Sequence, residues 1–166
     1  MRAIASGFVG NAGEYFVLAE LTRRGWTAAL TARNNRAYDI LAKRDNNFAA
    51  IRVKAKTSGS TGFQWSAKPD GVIFLEMAQE HDFCVLVDIP EKEEDCPTYY
   101  VVPTPVIDKW LKDDIYEFVT KPGAKGQQRN ADNRRRIFHV DDHMDRLGHG
   151  YRKKLTPYMG AWNLLG

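Results

Sequence analysis

Three side chains invite a chemical reading of this sequence: Glu14, Asp39 and Lys54. Asp39 and Lys54 lie in "YDILAKRDNNFAAIRVKAKTS", residues 38–58, which alternates as two strands around the tight polar turn "DNN". A hairpin of this kind brings Asp39 and Lys54 close together at one end of a sheet. Glu14 belongs to "NAGEYFVLAELTRRG", residues 11–25, which predicts a helix. Carboxylates with a lysine can hold Mg²⁺ and orient or activate water for attack on a phosphodiester. The ion would neutralise charge on the phosphate, and the lysine would add to that. Each residue also has a plainer use. Glu14 could serve the helix dipole, Asp39 could be a strand-end acid in a salt bridge, and Lys54 and Lys56 could form the solvated face of a strand. It is the joint arrangement that points to chemistry.

The elements that must position these groups follow from local pattern. Asn11 is a helix N-cap candidate with Glu14 three residues on, a variant of the capping box. Tyr15, Leu18, Ala19 and Thr22 trace one stripe, and Phe16, Val17 and Leu21 broaden it into a mostly buried helix. Arg23 and Arg24 suit its C-terminal dipole, and Gly25 is the stop. Strands are expected over 26–33, 38–44 and 48–57, with a turn at "NNRA" between the first two. In the third strand Ile51, Val53 and Ala55 share one face, and Arg52, Lys54 and Lys56 share the other. "FQWSA" reads as a short strand, "VIFLE" (72–76) as strand or helix, and "FCVLVDI" (83–89) as a buried strand. "TYYVVP" (98–103) closes a hairpin with it, and "TPVIDKWLKDD" (104–114) is a helix with proline at N1. The stretch from 120 to 150 has little apolar periodicity. Residues 156–165 look like a terminal segment docked by Tyr158, Trp162 and Leu164. Helix, strands, helix implies a mixed α/β sheet.

Composition narrows the class. A chain of 166 residues, 43% hydrophobic and 27% charged, fits one soluble domain spanning 1–166. No apolar run approaches the ~18 residues of a membrane span, and the N-terminus lacks a secretory apolar core. Cys84 sits in an apolar strand and Cys96 in an acidic loop, so a reduced, cytoplasmic protein is expected. The net charge of +3 is small, but its distribution is uneven. Residues 121–136 hold Lys121, Lys125, Arg129, Arg134, Arg135 and Arg136 against Asp132 alone, and "YRKK" follows at 151–154. Such a cluster either contacts phosphates or forms a solvated loop. Gln64 and Trp65 could line a nucleic-acid groove by amide contact and base stacking, with ordinary core the alternative for Trp65. His139 and His143 stand four apart without a His-Glu-x-x-His pattern, because Val140 is the second residue.

"GNAGEYFVLAELTRRGW" followed by "YDILAKRDNNFAAIRVKAKTS" resembles the PD-(D/E)XK nuclease superfamily. It is particularly similar to small bacterial members and to archaeal Holliday-junction resolvases. The likeness covers roughly residues 7–58 and extends more loosely over "HDFCVLVDIPEKEEDCPTYYVVPTPVIDKWL". The resemblance implies a three-layer α/β/α, restriction-endonuclease-like core with a mixed central sheet. That core would span about 7–118, with a basic loop and docked C-terminal segment over 119–166. It implies a metal-dependent endonuclease hydrolysing DNA, with Glu14, Asp39, Arg52 and Lys54 at the active centre and Mg²⁺ or Mn²⁺ on Glu14 and Asp39. Lys56, Gln64, Trp65, Arg129, Arg134, Arg135 and Arg136 would meet nucleic acid. A homodimer and a protein partner stay open.

One position departs from that pattern. Arg52 stands where the superfamily has Glu or Gln. A guanidinium has no acceptor lone pair and cannot ligate a cation. At ~4 Å and an effective dielectric of ~20, one charge–charge interaction is worth about 4 kcal/mol, and a divalent ion would feel more. Three readings follow. Arg52 pairs with Asp39 or Glu14 in a silent site, and the protein binds nucleic acid or a protein partner, as an inhibitor or immunity protein would. Alternatively, Arg52 turns out to hold substrate phosphate while Glu14 and Asp39 share one ion. In the third, a carboxylate from elsewhere, Glu76 or Glu20, fills the gap.

Overall fold

Two faces of one sheet organise the molecule. In the computed structural model, residues 6–32, 37–66, 79–130, 135–140, 144 and 148–166 are described. The elements, in chain order, are helix α1 (Ser6–Arg23) and strands β1 (Thr27–Leu30), β2 (Ile40–Arg44), β3 (Asn47–Thr57), β4 (Gly62–Ser66), β5 (Asp82–Ile89) and β6 (Thr98–Pro103). Helix α2 (Thr104–Thr120), strand β7 (Arg135–His139) and helix α3 (Tyr151–Leu155) follow, and 3₁₀ turns occupy Thr156–Tyr158 and Trp162–Leu165. The main sheet runs β1-β2-β3-β5-β6, and β4 and β7 form a separate two-stranded ribbon. β3 and β5 pair in parallel; the other strand pairs are antiparallel.

Strand alternation divides the core. Phe83, Val85 and Val87 of β5 face α1 with Ile51 of β3, Ile40 of β2, and Val17 and Leu21 of α1. Cys84 and Leu86 face the other way, against Phe63 and Trp65 of β4, Ile107 and Leu111 of α2, Phe138 of β7, and Tyr151 and Leu155 of α3. The result is a three-layer α/β/α arrangement around a mixed sheet, with the ribbon added to the α2 layer. Pro105 stands in the first turn of α2, where its missing N–H costs nothing.

The helix expected from Asn11 begins earlier, at Ser6, so Asn11 is not its cap and Glu14 lies in its interior rather than its first turn. Its buried face is Gly13, Val17 and Leu21, one row at i, i+4 and i+8. Tyr15 is 62% exposed, so α1 buries one face and not most of its girth. A second difference is β7, a strand within the stretch that lacked apolar periodicity. Its register puts Phe63 opposite Phe138 and Trp65 opposite Arg136, so the pairing partner is distant in sequence. At the C-terminus Trp162 and Leu165 enter the α1-side core while Leu164 is exposed, so Leu165 takes the docking place expected of Leu164. Tyr158 packs near Trp110 at 5.9 Å between ring centroids. The expected turn at 34–37, the 72–76 element, Glu76, Arg134 and His143 fall wholly or partly outside the described residues.

Candidate functional site

The β2–β3 hairpin closes through a two-residue turn, with Arg44 opposite Asn47. Asp45 adopts φ +53° there, a left-handed conformation that Asp tolerates better than most residues. At the far end of the hairpin, Asp39 directly precedes β2. Its N–H donates to the Ile51 carbonyl at 2.8 Å, and its own carbonyl accepts from Thr31 N–H at 2.9 Å. The carboxylate then turns onto β3. Oδ2 accepts from the Val53 N–H at 2.7 Å, and Oδ1 accepts a longer contact from Arg52 Nη1 at 3.5 Å.

Val53 is also where α1 meets the sheet. A Cβ on Gly13 would lie 2.5 Å from Ala55 Cβ and 3.5 Å from Val53 Cγ1, so only glycine permits this approach. Glu14 is the next residue of α1 and stands one helical row from that contact, in line with Gly10 and Ser6. Ser6 and Gly10 border a groove of about 540 Å³ whose floor includes Lys54 and Lys56 and whose other wall includes Gln64 of β4. The fold therefore brings the segment of α1 that carries Glu14, the Asp39 carboxylate and Lys54 to one stretch of β3. Spacing of small residues at 7, 10 and 13 was the signal that could have shown α1 lying close on this groove.

Arg52, Lys54 and Lys56 do share a face, but the ribbon covers it. Lys54 Nζ lies 5.8 Å from the centre of the Trp65 ring. Burial lowers the Lys54 ammonium below its ordinary value, the Arg52 charge pushes the same way, and Asp39 opposes. A lysine in that state gives up its proton more readily than a surface lysine. Lys56 is only 5% exposed; its Nζ donates to Asp88 Oδ2 at 2.7 Å and stands 5.5 Å from the Phe63 ring centre. Ser58 Oγ donates to the other Asp88 oxygen at 3.0 Å. Cys84, opposite Arg52 in the β3–β5 register, is fully buried, and burial pushes its thiol up to about 12.

The residues expected to meet nucleic acid divide into two groups. Gln64, Arg129 and Arg135 reach the surface in whole or in part. Trp65, Arg136 and Lys56 do not. Trp65 is 3% exposed and packs against Phe138 with ring centroids 4.4 Å apart and the rings tilted by 46°, so it is taken up by core contacts. Arg136 is 4% exposed, lies 4.1 Å from the Phe118 ring centre, and approaches Asp114 Oδ2 at 3.8 Å. Alternation along a strand explains this: in β7, Arg136 and Phe138 point inward and Arg135 points out. Asp88 and Asp114 are acids near these cations that the sequence pattern did not single out. Glu20, one candidate to supply a missing carboxylate, instead pairs with Arg23 at 3.0 Å and Arg24 at 3.2 Å at the end of α1.

Mg²⁺ is commonly held by one or two carboxylates with water completing its shell. Asp39 is one such carboxylate and keeps acceptor capacity after its bond to Val53; Glu14, on the neighbouring helix, would have to supply the second. Arg52 places a positive charge beside the same carboxylate. Among the described residues no group of three or more His, Cys, Asp or Glu forms a cation cage. Among those residues, too, no helix is long and apolar enough to cross a membrane.

No protein-family model matches the sequence, and no curated protein sequence matches it. Solved structures do. A bacterial homing endonuclease aligns over 97% of this chain and 93% of its own, with a TM-score of 0.54 at 13% identity. The Hjc Holliday junction resolvase of Archaeoglobus fulgidus aligns over 58% of this chain and 73% of its own, at TM-score 0.39 and 17% identity. MepB aligns over 86% and 93%, at 0.38 and 12%. The first of these is a likeness of fold over nearly the whole chain. With the layers and sheet order above, it shows that the protein shares the α/β/α fold of that structure, the fold class that the sequence resemblance implied.

Proposed function

We propose that the protein is a metal-dependent endonuclease that hydrolyses DNA phosphodiester bonds in the groove over β3. The observation that carries this reading is the meeting of α1, the Asp39 carboxylate and Lys54 on one stretch of that strand. Glu14 and Asp39 would hold Mg²⁺ or Mn²⁺, which when bound would neutralise phosphate charge. Lys54, with its weakened hold on a proton, orients the attacking water and stabilises charge developing on the phosphate. Arg52 clamps a phosphate oxygen, which requires it to exchange its long contact with Asp39 for the substrate. Gln64 contacts the strand from the groove wall. Lys56 contributes positive potential from beneath, and Arg129, Arg134, Arg135 and Arg136 add to the field that steers DNA. The chain acts as one cytoplasmic domain, and cutting both duplex strands calls for a homodimer.

The Arg52–Asp39 contact favours a second reading. A guanidinium resting on the site's carboxylate is what a silent member would show, one that binds nucleic acid or a protein partner without cutting. Incubating plasmid and branched DNA with the protein and Mg²⁺ or Mn²⁺ separates the two. The Asp39→Asn variant is the control, because its amide oxygen still accepts from Val53. Metal-dependent cutting lost in the variant supports the nuclease. DNA binding without cutting on any substrate sinks it, and gain of cutting in Arg52→Gln or Arg52→Glu would show that one residue silences the site.

A further inference from the structure

Whereas the β3 groove is lined by α1, β3 and β4, a second pocket is lined by β7 and α2. It has a volume of about 670 Å³, within the range of small-molecule sites and much larger than a single phosphate. Its floor is a buried charge cluster. Asp114 Oδ1 meets His149 Nε2 at 2.7 Å, and Asp114 Oδ2 faces Arg136 Nε at 3.8 Å. His149 Nδ1 also faces Glu117 Oε2 at 3.7 Å. Asp114 thus answers Arg136 and His149, while Arg129 and Arg135 bring two more positive charges to the same walls. Arg129 and Arg136 both lie over the Phe118 ring, at 4.8 and 4.1 Å from its centre, which holds two like charges together at one place. Ile137 and Met144 add apolar surface.

One atom in this wall points to a ligand. His139 Nδ1 is buried and makes no hydrogen bond among the described residues. His139 belongs to β7 and lines the pocket. A buried ring nitrogen without a partner is costly, so such atoms are normally satisfied. In the tautomer that carries hydrogen on Nδ1, it donates to an anion.

We propose that this pocket binds a nucleoside phosphate, with Arg129, Arg135 and His139 taking the phosphate and the Ile137 and Met144 wall receiving the nucleoside. The site is separate from the β3 groove and does not depend on hydrolysis there. The phosphate could come from a free nucleotide or from one unit of a nucleic-acid strand.

Calorimetric titration of the full chain tests this, with inorganic phosphate, a deoxynucleoside 5′-monophosphate and a 5′-phosphorylated tetranucleotide as probes. The mononucleotide should bind more tightly than inorganic phosphate. Arg129→Ala and Arg135→Gln, both at positions that reach the surface, should each weaken it about tenfold, as loss of a charge-assisted hydrogen bond does. Lys54→Met, in the other groove, should leave it unchanged. Tetranucleotide affinity well above that of the mononucleotide, and lost in the same variants, identifies a strand as the source; equal affinity identifies a free nucleotide. Absence of mononucleotide binding at millimolar concentration overturns the proposal. So does binding that Lys54→Met abolishes and the two arginine variants spare. Neither result bears on whether the β3 groove cuts DNA, which the plasmid assay reads separately.

Discussion

The two faces of the central sheet are built from different materials. The α1 face is aliphatic and aromatic: Val17, Leu21, Ile40, Ile51, Phe83, Val85 and Trp162 pack there. The α2 and ribbon face is comparably apolar by count of rings, yet Lys56, Thr104, Asp108, Asp114 and Arg136 are buried beside it. Burying charge is expensive, and buried pairs are often no more stabilising than apolar residues of the same size. A fold that needed only stability would have built its second face like its first. Under the proposed function, the charges on the second face are its equipment, and the α1 face is the support that holds them in place.

Substitutions can break or sharpen this contrast. The largest loss of stability is expected on the α1 face: Leu21→Ala should cost about 2–5 kcal/mol in chemical denaturation, as buried leucine truncations do. DNA affinity of the fraction that stays folded should be unchanged; a specific loss of affinity would place function on both faces. Next comes the Lys56–Asp88 pair. Asp88→Asn should cost about 1–3 kcal/mol, because it leaves a buried ammonium without its counter-charge. Lys56→Met should cost a similar amount, because it leaves the Asp88 carboxylate without its counter-charge, and should weaken DNA binding, whereas replacing both partners by apolar residues should be close to neutral. If the double replacement unfolds the protein instead, the pair is structural and the contrast fails at that point.

Lys54 gives a pH-dependent test. Its folded value lies below the ordinary 10.5, chiefly through burial. Between those two values the unfolded chain binds more protons than the folded one, so stability rises with pH across that window. Lys54→Met should remove this rise and stabilise the fold at pH 7 by about 0.5–2 kcal/mol, the usual gain when a functional group that costs stability is removed. Denaturation curves from pH 7 to pH 10.5 would read both effects. The smallest effect belongs to the exposed Lys109–Asp113 pair of α2, which touches neither face's chemistry. Lys109→Ala should change stability by less than about 0.5 kcal/mol.

What could be read from the sequence was what depends on neighbours along the chain. The β2–β3 hairpin declared itself by alternation and a polar turn, and it sets Arg52 beside Asp39. The parallel strand β5 showed as an apolar run, and α2 by its early proline. The start of α1 was misjudged because Gly7 and Gly10 disfavour helix by about 1 kcal/mol each, and Asn11 then looks like a cap. Gly13 looks equally unsuited until β3 is seen against it; packing outweighs propensity there. β7 was hidden because "RRIFH" carries two arginines, and its partner β4 lies far away in the chain. The burial of Trp65, Lys56 and Arg136 follows from that one long-range pairing, so it could not be read without it. The His149–Asp114 contact likewise joins segments that no local pattern links.

The topology of β3 sets an order of events during folding. Its pairing with β2 needs only a two-residue turn, while the ribbon that covers Lys54 and Lys56 must wait for β7. Local hairpins close in microseconds, and contacts of long sequence separation form later. A chain leaving the ribosome can therefore assemble Asp39 and Lys54 before the residues that will enclose Lys54 have been synthesised. In that interval the two β3 lysines face water as an ordinary basic strand, and pulse-labelled amide exchange should find β2 and β3 protected ahead of β4 and β7.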